Sequence, residues 1–485
     1  MKGDLRDRVV SSLRWQTAAK IGSQAISWGI TIVVMRVLDP RDYGLMAMVT
    51  LVVGLAALLA ELGLGAAIVQ AREVDVEQQR VVFGLALVVN GGLFVVLAVA
   101  APWVAATFDE QRLVLLMLVA AAQFPISAIG VVPDAMARRS LDFKSLSQIE
   151  LATQLATGLS TLATALSGWG VWSLLVGQLV GNLLRCGMLW RRFGLVSPSF
   201  AFAGRAALLR FGGALTANRV MWYAYSQADT FIAGKLLGAQ LLGIYSVAAH
   251  LASMPMQKMM AISNQVAFSA FSRLQHEPER LAASVSRTIR LSATLSVGLL
   301  WGLAALAPWL VPLLLGSKWA DAVLPLQLIA GVVPLRVVAA TLATACIAKG
   351  QVARDLRNNV VGLVVMAPAF GLGATQAGVM GLAMAWSLAY PLLFLWIVSQ
   401  VASPVGLSVG GVLRELARPV LAGVLMVAAV ALAGHALQAV PALPLGALFV
   451  ICTATATAAF FGAVAWLDRE TLREARDLLR GPRPT

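Results

Sequence analysis

The chain is short of charge. Only 12% of its 485 residues are Asp, Glu, Lys or Arg, and 59% are hydrophobic; a soluble globular protein carries about 25% charged residues. That deficit excludes a water-soluble fold and predicts an all-α integral membrane protein, because helices satisfy their own backbone in lipid. Cysteine and histidine are also scarce, three of each. Cys186, Cys346 and Cys452 lie within or at the ends of apolar segments, so neither a disulfide framework nor a metal-ligand cluster can be drawn. No metal or cofactor is expected. No GxxxxGK[ST] loop occurs, which excludes ATP binding of that kind. Neither a Ser/His/Asp set nor a paired-carboxylate site can be argued, so no catalytic residue is named and the protein is read as a non-enzyme.

What the chain has is apolar length. About fourteen runs, from 17–38 to 445–467, suffice to cross a bilayer, since about 20 helical residues span the hydrocarbon. Of the 37 Lys and Arg, 29 fall on one side of this arrangement, including Lys2, Arg138, Arg139, Lys144, Arg191, Arg192, Arg287 and Arg290. Five fall on the other: Arg36, Arg41, Arg112, Lys235 and Lys318. Positive charge marks the cytoplasmic face, so both termini are expected there. The net charge of +14 is spread over short loops, which suits topology signals and membrane lipid; no nucleic-acid partner is expected.

The expected organisation is a cytoplasmic segment (1–16), helices 1–6 (17–190), a basic linker (191–210), helices 7–12 (211–401), helices 13–14 (402–467) and a basic amphipathic tail (468–485). The tail is expected to lie on the membrane surface. RVLDPRDYGLM (36–46) aligns without gaps on KLLGAQLLGIY (235–245). Both cross a tight corner, which suggests parallel repeats with a site near the midplane.

Polar and charged residues at membrane depth stand out in the segment 211–237, which carries Asn218, Arg219, Gln227 and Asp229, and in its neighbours. Asn218, Trp222, Tyr225 and Asp229 follow i, i+4, i+7, i+11 spacing, one helical stripe that must face protein or water. Arg219 shares the segment. Arg336 sits mid-span after Pro334, too deep to reach an interface, and is read as a cavity-facing anion contact. Lys258 either snorkels or joins it, and Asp229 either binds a coupling cation or proton or neutralises an arginine. Lys20 and Glu61 are read as a structural ion pair, and His250 as an interior imidazole. The excess of intramembrane cations suits a polyanionic headgroup such as a diphosphate.

Residues 12–70, DTFIAGKLLGAQLLGIYSVA, FSAFSRLQHEPERL and LLGSKWADAVLPLQLIAGVVPLR resemble Wzx-type polysaccharide flippases, of the multidrug/oligosaccharidyl-lipid/polysaccharide exporter superfamily. The colanic-acid and lipopolysaccharide exporters are the most similar branch. The resemblance implies two six-helix lobes in a V around a cationic lumen, plus two C-terminal helices. It implies transfer of an undecaprenyl-diphosphate-linked oligosaccharide across the bacterial inner membrane by alternating access, alongside a polymerase and a chain-length regulator. Arg219, Arg336, Lys258, Asn218, Trp222 and Tyr225 are then the candidate substrate contacts, and Asp229 the coupling residue. An ion-coupled drug exporter is the alternative within the superfamily. A polymerase or ligase is disfavoured by the short outer loops.

Overall fold

A computed structural model describes residues 27–60, 65, 68, 69, 74–201, 213–438, 443–469 and 474; the side chains of 213–217, 256–266 and 438 also lie outside the description. Among the described residues there is no strand, and nine helices are long and apolar enough to cross a membrane. The chain divides into two compact units, Met1–Val220 and Met221–Thr485.

In the first unit the helices are α1 (Ser27–Val37), α2 (Pro40–Ala60), α3 (Val76–Phe108), α4 (Arg112–Ala121), α5 (Gln123–Arg139), α6 (Phe143–Leu166) and α7 (Trp172–Phe193). Their ends follow from capping chemistry. Asp75 accepts from the Gln78 amide at 2.6 Å, and Asp142 from the Ser145 amide at 3.1 Å, satisfying amides that have no partner in a helix's first turn. At the α1–α2 corner Asp42 accepts from the Asp39 and Val171 amides. Arg41 reaches Glu110 at 2.7 Å. Helix α7 closes on α6 because Gly177 and Gly181 leave room for Thr161 and Thr157, the small-residue packing that substitutes for hydrophobic drive in lipid. Asp134 takes both Arg138 and Arg185, at 2.7 and 2.8 Å.

The second unit continues with α8 (Gly213–Ser226), which crosses the unit boundary, then α9 (Ala228–Arg273), α10 (Pro278–Leu315), α11 (Val323–Ala348), α12 (Val352–Val401), α13 (Val409–Gln438) and α14 (Leu445–Leu467). Two of these are bent spans. Gly238 (φ 75°, ψ 178°) turns α9 within the LGAQ corner, and Gly378 (φ 58°, ψ −133°) turns α12 within AGVMG. Glycine adopts such angles without the Cβ clash that other residues meet. Beside that second corner Gly373 and Gly381 bring backbone against backbone.

Helix α11 is the interior of this unit. It packs on α9, α10 and α12, and 61% of its apolar window is buried, against 28% for α13 and for α14. The last two helices pair with each other and lie on α10, where Gly298 accommodates Phe460 and Gly423 accommodates Trp301. A charged knot ties the ends. Arg290 contacts Glu474 at 2.9 Å and Glu415 at 3.9 Å, and Arg287 contacts Glu474 at 3.3 Å. The tail therefore has at least one point of attachment to α10. Its remaining amphipathic positions, Leu472, Ala475 and Leu479, lie outside the described residues, as does the Lys20–Glu61 pairing.

Candidate functional site

The expected stripe crosses a kink: Gln227 takes φ −115°, ψ 5° between α8 and α9, while the Gln227 and Phe231 amides keep helical bonds to Tyr223 and Gln227. Trp222 is 53% exposed, whereas Asp229 is 7% exposed. Asp229 lies in the first turn of α9 and accepts from the Thr230 amide at 2.7 Å. Asn218 and Tyr225 are half-buried and Arg219 is exposed. The Tyr225 ring occupies the space beside Gly362 of α12. Lys258 lies on α9, but its side chain is outside the description. His250 lies on α9.

Asp229 anchors the centre of the site. Tyr245 Oη donates to Asp229 Oδ2 at 2.5 Å, and Trp386 Nε1 donates to the same oxygen at 3.2 Å and to Tyr245 Oη at 2.9 Å. All three side chains are buried. Among the described residues no arginine or lysine pairs with Asp229, so the carboxylate is held by neutral donors alone. This geometry leaves the ion-binding reading of Asp229 open and does not supply the neutralising arginine.

Arg336 completes the arrangement. Its Cζ lies 4.4 Å from the centroid of the Trp386 ring, a cation–π distance. Phe370 and Tyr390 pack on the same indole, with ring centroids at 5.1 and 5.6 Å. Arg336 is half-buried. Among the described residues its guanidinium forms no ion pair and no hydrogen bond. The planar fork of a guanidinium matches phosphate oxygens two at a time.

Sequence reading missed Tyr245, Trp386 and Tyr390, because an aromatic residue in an apolar run looks like ordinary core. The available signal was Asp229 itself, since a buried carboxylate requires donors nearby. Among the described residues no group of three or more His, Cys, Asp or Glu could hold a metal ion.

Comparison with known proteins adds the lineage. The chain is 26% identical over 392 residues to the lipopolysaccharide biosynthesis protein WzxC of Escherichia coli (strain K12), covering 79% of each. It is 26% identical over 320 residues to the succinoglycan biosynthesis transport protein ExoT of Rhizobium meliloti (strain 1021), covering 65% of this chain and 64% of the relative. Among solved structures, the lipid II flippase MurJ in an inward closed conformation superposes with a TM-score of 0.76, covering 94% of this chain and 99% of MurJ at 11% identity. That level of identity shows a shared fold. The resemblance to Wzx-type polysaccharide transporters is thus borne out. Residues 33–324 match the family described as polysaccharide biosynthesis protein, and the chain belongs to that family.

Proposed function

We propose that this protein is a flippase for an undecaprenyl-diphosphate-linked oligosaccharide. It carries the headgroup across the bacterial cytoplasmic membrane by alternating access, without nucleotide hydrolysis. The observation that carries the reading is Arg336: a guanidinium in the most buried helix of its unit, stacked on Trp386 and free of any acid partner among the described residues. A cation kept in that state attracts a doubly charged headgroup far more strongly than it would in water, since Coulomb energy rises as the dielectric falls. The names of the relatives, polysaccharide biosynthesis and transport proteins, agree with it.

Arg336 and Arg219 hold the diphosphate in this reading, with Lys258 as a further cation. Asn218, Trp222 and Tyr225 contact the sugar. Asp229, a carboxylate without a cationic partner among the described residues, takes the coupling proton or cation. Both termini lie in the cytoplasm, and a polymerase and chain-length regulator act on the exported units. Deleting the gene is expected to trap lipid-linked repeat units on the cytoplasmic leaflet, and a periplasmic glycan-modifying probe applied to intact cells measures this. Normal outward exposure in the deletion strain would overturn the proposal.

A further inference from the structure

Away from the Arg336 site, the first unit carries a recess of about 390 Å3 between the start of α6 and the end of α7. Its polar wall is Asp142, Lys144, Ser145, Gln148 and Arg192, over Ile149 and Met188. The start of α6 is already capped by Asp142, so the attraction here comes from side chains and not from backbone amides. Arg192 approaches Asp142 only to 3.6 Å, with its side chain 65% exposed, a contact worth little in water. Among the described residues, Lys144 and Gln148 make no hydrogen bond or ion pair. Arg191 lies on the same end of α7, and Arg138 and Arg139 end α5.

The turn beside the recess is unusual in a second way. Leu141 sits at φ 56°, a left-handed conformation that helix ends normally assign to glycine, and its side chain is 70% exposed. Phe143 and Trp190, on the flanking helix ends, are 58% and 52% exposed. A strained backbone that holds a bulky apolar side chain outward points to a task for that side chain. Cations over an apolar rim with an interfacial tryptophan match the chemistry of a bilayer's headgroup layer.

We propose that this recess binds the phosphate headgroup of an anionic glycerophospholipid from the leaflet on the basic side, with Leu141, Phe143 and Trp190 set among its acyl chains. The site is independent of the transported substrate. Charge complementarity selects this occupant: two cations and an amide face the recess against one carboxylate, Asp142, which is already engaged by the Ser145 amide and hydroxyl, while the apolar side chains exclude a fully hydrated anion as sole ligand.

The test uses the full-length protein and native mass spectrometry, with dioleoyl phosphatidylglycerol and dioleoyl phosphatidylcholine as probes. Each surface cation contributes about fivefold to anionic-lipid attraction. Lys144→Gln with Arg192→Gln should therefore lower phosphatidylglycerol retention about 30-fold, leave phosphatidylcholine unchanged and leave the elution profile unchanged. Arg112→Gln, a control at the opposite end of the helices, should change neither. Leu141→Gly should raise the melting temperature and still weaken retention. Equal retention by wild type and double variant would overturn the proposal. So would equal loss in the control, full displacement by millimolar inorganic phosphate (a free-anion site), or displacement by an isoprenoid diphosphate at far lower concentration than by phosphatidylglycerol (a substrate site).

Discussion

Arg336 and Asp229 share one indole without forming an ion pair with each other. The guanidinium lies on the face of Trp386, 4.4 Å from its centroid, and the carboxylate accepts from its edge at 3.2 Å. An aromatic ring attracts a cation at its face and presents positive hydrogen at its edge. One side chain thereby fixes two opposite charges in place while keeping them apart, and the separation leaves each able to take a ligand.

Replacing Arg336 with Ala should weaken binding of an isoprenoid diphosphate about 10- to 100-fold. Hydrogen bonds to a charged group are worth about 1.5–3 kcal/mol, and each 1.4 kcal/mol is tenfold. Arg336→Lys should restore only part of this, because an ammonium lacks the planar fork. Titration of the purified protein with farnesyl diphosphate measures both.

Tyr245→Phe should destabilise the protein by about 1–3 kcal/mol, the cost of taking one partner from a buried polar group. Thermal unfolding in detergent shows this as a lowered midpoint. Asp229→Asn should instead keep most of the stability and abolish any dependence of export on the proton or cation gradient. Collapsing the gradient in cells that carry the variant provides the measurement. Gradient dependence that survives the substitution would remove Asp229 from the coupling role.

Gly373→Ala and Gly381→Ala should each impair folding, because the added Cβ meets backbone that cannot rotate away. Overpacking of this kind costs about 1–3 kcal/mol and occasionally more. Yield of membrane-inserted protein is the readout, and Gly371→Ala, where a Cβ meets nothing within 4 Å, serves as the comparison.

Asp142 gives a pH signature. Hydrogen bonds from the Ser145 amide and hydroxyl, and then the Arg192 charge, hold its carboxyl below the usual carboxylate range. A lowered pKa in the folded state stabilises at neutral pH, and that contribution is lost as pH falls through and below about 4. Asp142→Asn retains a capping oxygen but no charge, so it should flatten this acid limb of the melting temperature.

The corners and the buried charges were legible for definite reasons. Gly238 and Gly378 fall in short glycine-containing corners between apolar runs, and Arg336 is conspicuous because a guanidinium at mid-span has no cheap resting place. The Gln227 kink was not legible, because its residues continue a good helical pattern. Trp386 was invisible for a different reason. Its partners lie on helices far away in sequence, and no local pattern reports contacts of that range. The attachment of Glu474 to Arg287 and Arg290 was not legible either, because its partners lie 187 and 184 residues earlier in the chain.

The network around Asp229 also carries a timing consequence. Its phenol donor follows 16 residues later, but its indole donor follows 157 residues later. At about 5–20 residues per second, a ribosome leaves this acid without the tryptophan for roughly 8–30 seconds. The growing polypeptide must shelter it during that interval, by holding a proton or by keeping the segment near water until the twelfth helix arrives.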